Sequence, residues 1–325
     1  MNDAFHRKIN YLRISVTDRC NLRCVYCMPE EGVELINHEE ILSLEEIIRV
    51  INSAVMAGIR KIRFTGGEPL VRKGISSLIE RVNDIPEIDD IALTTNGILL
   101  PIMAAELRKA GLRRVNISLD TLVPEKFRRI TRGGRLSDAW LGVETALEAG
   151  FDPVKINTVV IRGFNEEEVY DFAELTTKMP LNVRFIELMP IGVSDLRDRK
   201  SFVSTTELIK ILQNRHELVP EKVAGNGPAK SYRIPGAMGT IGFISPISNH
   251  FCADCNRLRL TAEGQLRPCL QSPQEIDLKT PLREGASPEQ LADVIRFAIS
   301  SKPEKHNMEQ AGWAGNRRWM TQIGG

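Results

Sequence analysis

The residues with the most distinctive chemistry in this chain are its six cysteines, which form two triplets. The first is Cys20, Cys24 and Cys27, with the spacing C-x3-C-x2-C, and the second is Cys252, Cys255 and Cys269, with the spacing C-x2-C-x13-C. No cysteine lies between them. In a chain without a secretory signal, such grouping indicates metal or redox chemistry rather than a disulfide framework.

Each triplet is one ligand short of a closed tetrahedral site, and its spacing leaves two interpretations open. A structural zinc ion would need a fourth ligand, which could be His6 or His38 for the first triplet and His250 or His306 for the second. A [4Fe-4S] cluster held by three thiolates would instead keep one iron open for a substrate or cofactor.

Two arginines closely follow Cys255 of the second triplet. Arg257 and Arg259 are two positions apart, so an extended chain presents both on one side. A structural zinc site has no use for such a pair, whereas a polyanionic substrate does. These residues therefore predict an anion site beside the second triplet.

The elements that must position these residues alternate between strand-like and helical segments from about Tyr11 to Met189. Six strands are predicted at "YLRISVT", "KIRFTG", "IALTTNG", "RVNISLD", "PVKINTVVI" and "NVRFIELM". Helical periods separate them, as in "SLEEIIRVINSAVMAG". Repeated βα units predict parallel strands with right-handed crossovers, either in a doubly wound sheet or in a barrel.

Alternation within the strands favours the barrel. Arg13, Arg63 and Lys155 fall on the polar side of three strands whose other side is apolar. Strands covered by helices on both faces would be apolar throughout, so the polar side predicts a wet interior. Those three cations either bind an anionic substrate or form internal salt bridges with acidic residues such as Asp18, Glu68 or Asp120.

The predicted fold class is α/β, with a partial six-stranded (β/α) TIM-type barrel over residues 1–220 and a small C-terminal domain over residues 221–325 that carries the second triplet. A net charge of +1 gives no indication of nucleic-acid or membrane-surface binding. The sequence has no apolar leader and no apolar run long enough to span a membrane, and it predicts a cytoplasmic protein.

Several motifs in this order resemble one family. They are "RISVTDRCNLRCVYCMP", "IRFTGGEPLVR", "LTTNG", "NISLD", "VKINTVVI", "RFIELMP", "NHFCADCNRLRLTAEGQLRPCL", "KPEKHNM" and the terminal "IGG". The first carries the signature of the radical S-adenosylmethionine (SAM) superfamily. Together, from Arg13 to Gly325, they resemble the GTP 3′,8-cyclases of molybdenum cofactor (molybdopterin) biosynthesis.

The resemblance implies a role for each matching residue. The first triplet would hold a [4Fe-4S] cluster together with SAM, and the second would hold an auxiliary [4Fe-4S] cluster together with the substrate. SAM would contact Tyr26, Gly67, Ser118 and Met189. GTP would contact Arg13, Arg63, Thr94, Lys155, Arg184, Arg257, Leu258 and Arg259. Arg257, Arg259 and the terminal Gly324 and Gly325 would also take part in catalysis.

The implied reaction converts GTP to (8S)-3′,8-cyclo-7,8-dihydroguanosine 5′-triphosphate, with hydrogen abstraction from C3′ and bond formation to C8. The implied partners are a one-electron reductant such as flavodoxin or ferredoxin, a downstream pyranopterin-forming enzyme and a second copy in a homodimer. Two alternatives are a radical SAM enzyme acting on a peptide or protein and a zinc-stabilised nucleotide-binding module. The chain departs from the family pattern at Gly74 and at His6, neither of which is a cluster ligand.

Overall fold

The computed structural model describes residues 1–191, 199–223, 227–306, 308 and 318–324. Within these ranges, no helix combines the length and apolar character that crossing a membrane requires.

One twelve-stranded sheet runs through the molecule, in the order β12-β11-β10-β1-β2-β3-β4-β5-β6-β9-β8-β7. All six predicted strands are present, as β1 to β6. The strands are β1 (Tyr11–Ser15), β2 (Lys61–Thr65), β3 (Asp90–Thr95), β4 (Arg114–Ser118), β5 (Val154–Val160), β6 (Leu181–Glu187), β7 (Val219–Glu221), β8 (Lys230–Arg233), β9 (Thr240–Ile244), β10 (Arg257–Leu260), β11 (Gln265–Arg267) and β12 (Ile276–Asp277). Within the described ranges β12 and β7 do not pair, so the sheet remains open.

Helices follow most of the parallel strands and cover the outer face of the sheet. They are α1 (Leu44–Met56), α2 (Ile75–Asn83), α3 (Leu100–Lys109), α4 (Pro124–Thr131), α5 (Leu136–Glu148), α6 (Val169–Lys178), α7 (Thr205–Gln213), α8 (Lys279–Arg283) and α9 (Pro288–Ser300). Helix α1 shows why they form: Ser43 and Glu46 make a capping box, and Ile47 and Ile51 bury one apolar face.

The later part of the chain extends both edges of the predicted six strands. Strand β10 pairs in parallel with β1, and β9 pairs in parallel with β6. The predicted boundary between residues 220 and 221 falls inside β7, and β7 belongs to the same sheet through β8 and β9. The division into two domains stays a prediction, because the sheet is continuous across it.

The pairing of β1 with β10 also fixes where the two cysteine triplets lie. Cys20 follows the carboxyl end of β1, whereas Cys255 precedes the amino end of β10. Because these neighbours are parallel, the two triplets flank opposite ends of the strands. A strand of five residues is about 17 Å long, so the two triplets are separated by roughly this distance.

Candidate active site

A single cavity of about 300 Å³ connects the two cysteine triplets. The polar sides of the strands form its walls, and loops at both ends of the strands complete it. Its lining includes these predicted site residues: Arg13, Cys20, Cys24, Tyr26, Cys27, Arg63, Gly67, Thr94, Ser118, Arg184, Met189, Cys252, Cys255, Arg257, Arg259 and Cys269. Of the described predicted residues, Lys155, Leu258 and Gly324 are not part of that lining.

The first triplet lies on a loop held against the end of helix α4. The backbone N–H groups of Arg23 and Val25 donate to the carbonyls of Thr131 and Ile130, at 3.1 and 2.9 Å. A turn from Cys24 to Cys27 closes with a 2.9 Å hydrogen bond from the Cys27 N–H to the Cys24 carbonyl. These bonds fix the loop without using the thiols.

The thiols of the first triplet are costly to ionise in the protein alone. Burial raises the pKa of Cys20 to about 11. The pKa values of Cys24 and Cys27 are also raised by burial and by neighbouring acidic groups. A bound cationic centre would remove that cost, since metal coordination deprotonates a thiol.

The arrangement of donors favours a cluster over a single ion. In the described ranges, no group of three His, Cys, Asp or Glu side chains is placed to hold one metal ion. The cysteines of each triplet nevertheless all line one cavity. A cluster offers a separate iron to each thiolate, so its ligands need not converge on one point. The residues present therefore fit an iron–sulfur cluster in each triplet.

The residues predicted to contact SAM surround the first triplet. The Tyr26 hydroxyl donates to the Asp120 carboxylate at 2.6 Å, and the Val159 N–H donates to the other oxygen at 2.8 Å. At Gly67, a Cβ would lie 2.3 Å from the Arg19 carbonyl, so a glycine is required where the two loops meet. Ser118 and Met189 line the same end of the cavity.

Three arginines stand side by side in the wall of the cavity. The parallel register pairs Arg13 with Arg259 on one side and with Arg63 on the other. Burial and its two arginine neighbours lower the pKa of Arg13, and burial followed by Arg257 lowers the pKa of Arg259 to about 10. A row of like charges at this spacing is unfavourable without an anion.

Internal salt bridges do not account for Arg13 and Arg63. In the described part of the chain, Arg13 and Arg63 make no ion pair with a carboxylate, and the Nε atoms of both are buried without a partner. Glu68 instead accepts hydrogen bonds from the Thr95 hydroxyl and the Asn96 N–H. The Asp120 carboxylate accepts a hydrogen bond from the Tyr26 hydroxyl.

Two further cations lie deeper along the strands. Lys155 and Arg184 line a small second pocket, and Arg184 also faces the main cavity. Burial, followed by the charge of Arg184, lowers the pKa of Lys155 to about 6. Burial lowers the pKa of Arg184 to about 9.

Two other residues predicted to contact GTP differ in their surroundings. Thr94 accepts a 3.4 Å hydrogen bond from Arg63. Leu258 is fully buried, on the face of β10 opposite to Arg257 and Arg259.

The second triplet is flanked by basic groups. Although burial raises the pKa of Cys255, the charges of Arg257 and Lys302 lower it to about 6. The Arg257 guanidinium also lies over the Phe251 ring, 4.8 Å from its centroid. At Cys255 the neighbouring cations therefore favour the thiolate, in contrast to the thiols of the first triplet.

The carboxyl-terminal residues reach into the site. The carbonyl of Gly324 accepts a 3.0 Å hydrogen bond from Arg259. Gly324 has a φ of +77°, and a Cβ there would lie 3.2 Å from Thr65 and 3.4 Å from Ser15. The terminal Gly325 lies outside the described residues.

Two residues to which the sequence assigns no role in binding or catalysis belong to the site. The sequence indicates Asp120 only as a salt-bridge partner, although its place just after β4 is a signal for a barrel site. Lys302 lines the cavity and is 3% exposed. Its sequence signal is its place as the first residue of the motif "KPEKHNM", although a lysine just after a helix is ordinarily a surface residue.

Comparison with known proteins identifies the family. Residues 14–176 match the model of the radical SAM superfamily, and residues 181–308 match the model Molybdenum Cofactor Synthesis C. The GTP 3′,8-cyclases of Pelotomaculum thermopropionicum and Desulforamulus reducens are each 58% identical to this chain, over the full length of both proteins. This chain belongs to the GTP 3′,8-cyclase family.

Family membership confirms the resemblance based on the motifs. It also assigns the chain to the radical SAM enzymes, which use a [4Fe-4S] cluster and SAM.

Two solved structures confirm the fold. Streptococcus suis SuiB bound to S-adenosylmethionine has a TM-score of 0.62 at 15% identity, covering 89% of this chain and 68% of that one. His6-tagged anSMEcpe with bound AdoMet has a TM-score of 0.57 at 13% identity, covering 93% and 80%. The predicted partial (β/α) barrel with a C-terminal extension is thus confirmed.

Proposed function

We propose that this protein converts GTP to (8S)-3′,8-cyclo-7,8-dihydroguanosine 5′-triphosphate, the first step of molybdenum cofactor biosynthesis. The full-length relatives named GTP 3′,8-cyclase support this assignment. Its basis in this structure is the row formed by Arg259, Arg13 and Arg63, in one cavity with both cysteine triplets.

The triphosphate is assigned to the basic wall. Arginine binds phosphate oxygens through two parallel hydrogen bonds, and a triphosphate supplies enough negative charge to offset three or more guanidiniums. Lys155, Arg184 and Thr94 extend this wall along the strands. Leu258, whose side chain is buried elsewhere, can contribute only its backbone.

Cys20, Cys24 and Cys27 would hold the first cluster, and Tyr26, Gly67, Ser118 and Met189 would bind SAM beside it. When bound, this cluster and SAM supply the radical that removes hydrogen from C3′ of the ribose. The protein's contribution is to hold that carbon toward the first triplet and to exclude water from an enclosed cavity.

We infer that Cys252, Cys255 and Cys269 would hold a second cluster, which would bind the guanine. The location of this triplet at the far end of the strands supports the assignment, because GTP would then span the cavity between the two centres. Arg257, Arg259 and Gly324 would orient the substrate and contact it near the site of cyclisation.

Turnover with isotopically labelled GTP tests the proposal. The iron-loaded protein is incubated anaerobically with SAM, a one-electron reductant and GTP deuterated at C3′. We expect deuterium in the 5′-deoxyadenosine product and its absence from that product when GTP labelled at C2′ is used. If 5′-deoxyadenosine forms without deuterium from C3′, the proposed abstraction is incorrect.

A peptide substrate is a second possibility for this fold, since one structural neighbour is SuiB bound to precursor peptide SuiA. An extended peptide would require a groove with few uncompensated charges. The arginine row, together with Arg184 and Arg257 in the lining of the same cavity, favours a polyphosphate instead. A zinc-stabilised module is disfavoured because neither triplet is placed to hold a single ion within the described residues.

The remaining partners are proposals from the family. They are a flavodoxin or ferredoxin as the electron donor, a pyranopterin-forming enzyme that receives the product, and a homodimeric assembly. The cytoplasmic location is also inferred, from the family and from the sequence.

A further inference from the structure

Lys302 connects the two parts of the second cysteine triplet. It follows helix α9 and is 3% exposed. Its ammonium group donates to the carbonyl of Arg257 at 2.9 Å and to the carbonyl of Pro268 at 2.7 Å. The first carbonyl lies two residues after Cys255, and the second lies immediately before Cys269. One side chain therefore holds together two segments that are otherwise separated by a β-hairpin.

The segment that carries Lys302 is itself anchored to the second triplet. The Arg7 guanidinium donates to the carbonyls of Cys252, Pro303 and Glu304 at 2.8, 2.7 and 2.9 Å. Arg7 and Lys302 thus fix residues 302–304 to both sides of the triplet. These hydrogen bonds reach the backbone at, or within two residues of, each of the three cysteines.

The two buried cations differ in how their charge is balanced. Arg7 forms a 2.6 Å ion pair with Asp3. Lys302 has only carbonyl partners and no Asp or Glu within the described ranges. A buried ammonium without an anion is unfavourable, and the two hydrogen bonds of Lys302 place its charge beside Cys255 and Cys269. The anions that would balance the charge of Lys302 are the thiolates of the triplet.

We propose that Lys302 is a positioning residue for the second cluster and its built-in counter-charge, which stabilises the reduced state of that cluster. This inference rests on the proposed assignment of a cluster to the second triplet. A fixed positive charge favours addition of an electron to a nearby thiolate-bound cluster. Its loss therefore makes the cluster harder to reduce.

The test is the midpoint potential of the second cluster, followed by electron paramagnetic resonance during an anaerobic redox titration. Lys302→Met removes the charge and the hydrogen bonds, whereas Lys302→Gln keeps a hydrogen-bond donor without the charge. We expect both variants to shift this potential to more negative values while the potential of the first cluster stays unchanged. Lys305→Met is the matched control, because Lys305 lies three residues away and is exposed.

Iron content separates the possible failures. Wild-type protein with about four rather than about eight irons per chain would refute the second cluster itself. Two clusters in the wild type, with unchanged second-cluster potentials in Lys302→Met and Lys302→Gln, would refute the counter-charge. Selective loss of the second cluster from both variants, but not from Lys305→Met, would support the positioning role. If Lys302→Met does not fold, the potential of Lys302→Gln decides.

Discussion

Replacement of Arg13 by methionine should separate substrate binding from stability. Arg13 lies between Arg259 and Arg63 in the parallel register and has no carboxylate partner in the described part of the chain. Methionine is apolar and of similar length, so it can occupy the wall without the charge. We therefore expect Arg13→Met to bind GTP poorly without losing stability.

The expected effect on stability follows from the spacing of the strands. Adjacent strands lie about 4.8 Å apart, and guanidiniums on them are about 5 to 8 Å apart. At an effective dielectric constant of about 20, each like-charged pair costs about 2 to 3 kcal/mol. Methionine removes the repulsion with Arg259 and Arg63 but also loses the packing of the arginine side chain. We therefore expect the free energy of unfolding of the nucleotide-free protein to rise by about 1 to 3 kcal/mol. The melting temperature should rise by about 2 to 6 °C.

The expected effect on affinity has the opposite sign. Loss of a bidentate, charge-assisted contact to phosphate costs about 2 to 4 kcal/mol. This corresponds to a Kd for GTP that is about 30 to 1,000 times higher. Thermal shift measurements with and without GTP report both effects, because a ligand stabilises only the folded state that binds it.

Arg113→Met is the matched control, since Arg113 is exposed just before β4. It should change neither the melting temperature nor the shift caused by GTP. If Arg13→Met melts well below Arg113→Met, Arg13 is a structural residue. If its Kd for GTP equals that of the wild type, the arginine row does not bind the triphosphate. Either result would refute the reasoning.

Three further predictions concern the ends of the cavity and its deep wall. Cys20→Ala should abolish SAM cleavage, whereas Cys269→Ala should keep uncoupled cleavage and lose cyclised product, as measured by chromatography of both products. Because the pKa of Lys155 is lowered to about 6, GTP binding at pH 8 should take up about one proton. Calorimetry in two buffers of different ionisation enthalpy measures this uptake. Gly324→Val should lower turnover at unchanged iron content, while Gly163→Val, at a similar φ but in open space, should not.

Each of these predictions has a contrary result. Equal loss of cleavage and product in both cysteine variants would contradict the separate roles of the triplets. Proton uptake that persists in Lys155→Met would assign the proton to another group. Lys155 also makes the stability depend on pH. Between about pH 6 and 10.5 this residue binds a proton in the unfolded chain but not in the folded one, so the free energy of unfolding decreases as the pH falls through that range. Normal turnover in Gly324→Val would exclude its role in the site.

Periodicity identified the central part of this fold because its signals are local. Strands β1 to β6 and helix α1 follow from short-range alternation and capping. The pairing of β1 with β10 and of β6 with β9 could not be predicted in this way. Those contacts join distant segments, and short-range patterns carry no information on which distant strand fills an edge.

The candidate site shows the same distinction. Strand parity predicted that Arg13 and Arg63 face a wet interior, and both line the cavity, because this signal depends on residue type and position alone. The contact of Asp120 with Tyr26 and the burial of Lys302 depend on three-dimensional neighbours. A lysine after a helix is ordinarily exposed, so only the structure distinguishes Lys302 from Lys305.

The pairing of β1 with β10 also has a consequence for folding. The side chains of Asn10 and Asn256, at the start of these strands, form a hydrogen bond across 246 residues. Contacts of such high sequence separation form slowly and require most of the chain to be present. During synthesis, the segment with the first triplet leaves the ribosome long before its neighbouring strand does. The cavity between the two centres is therefore completed late, after the residues that enclose it have been made.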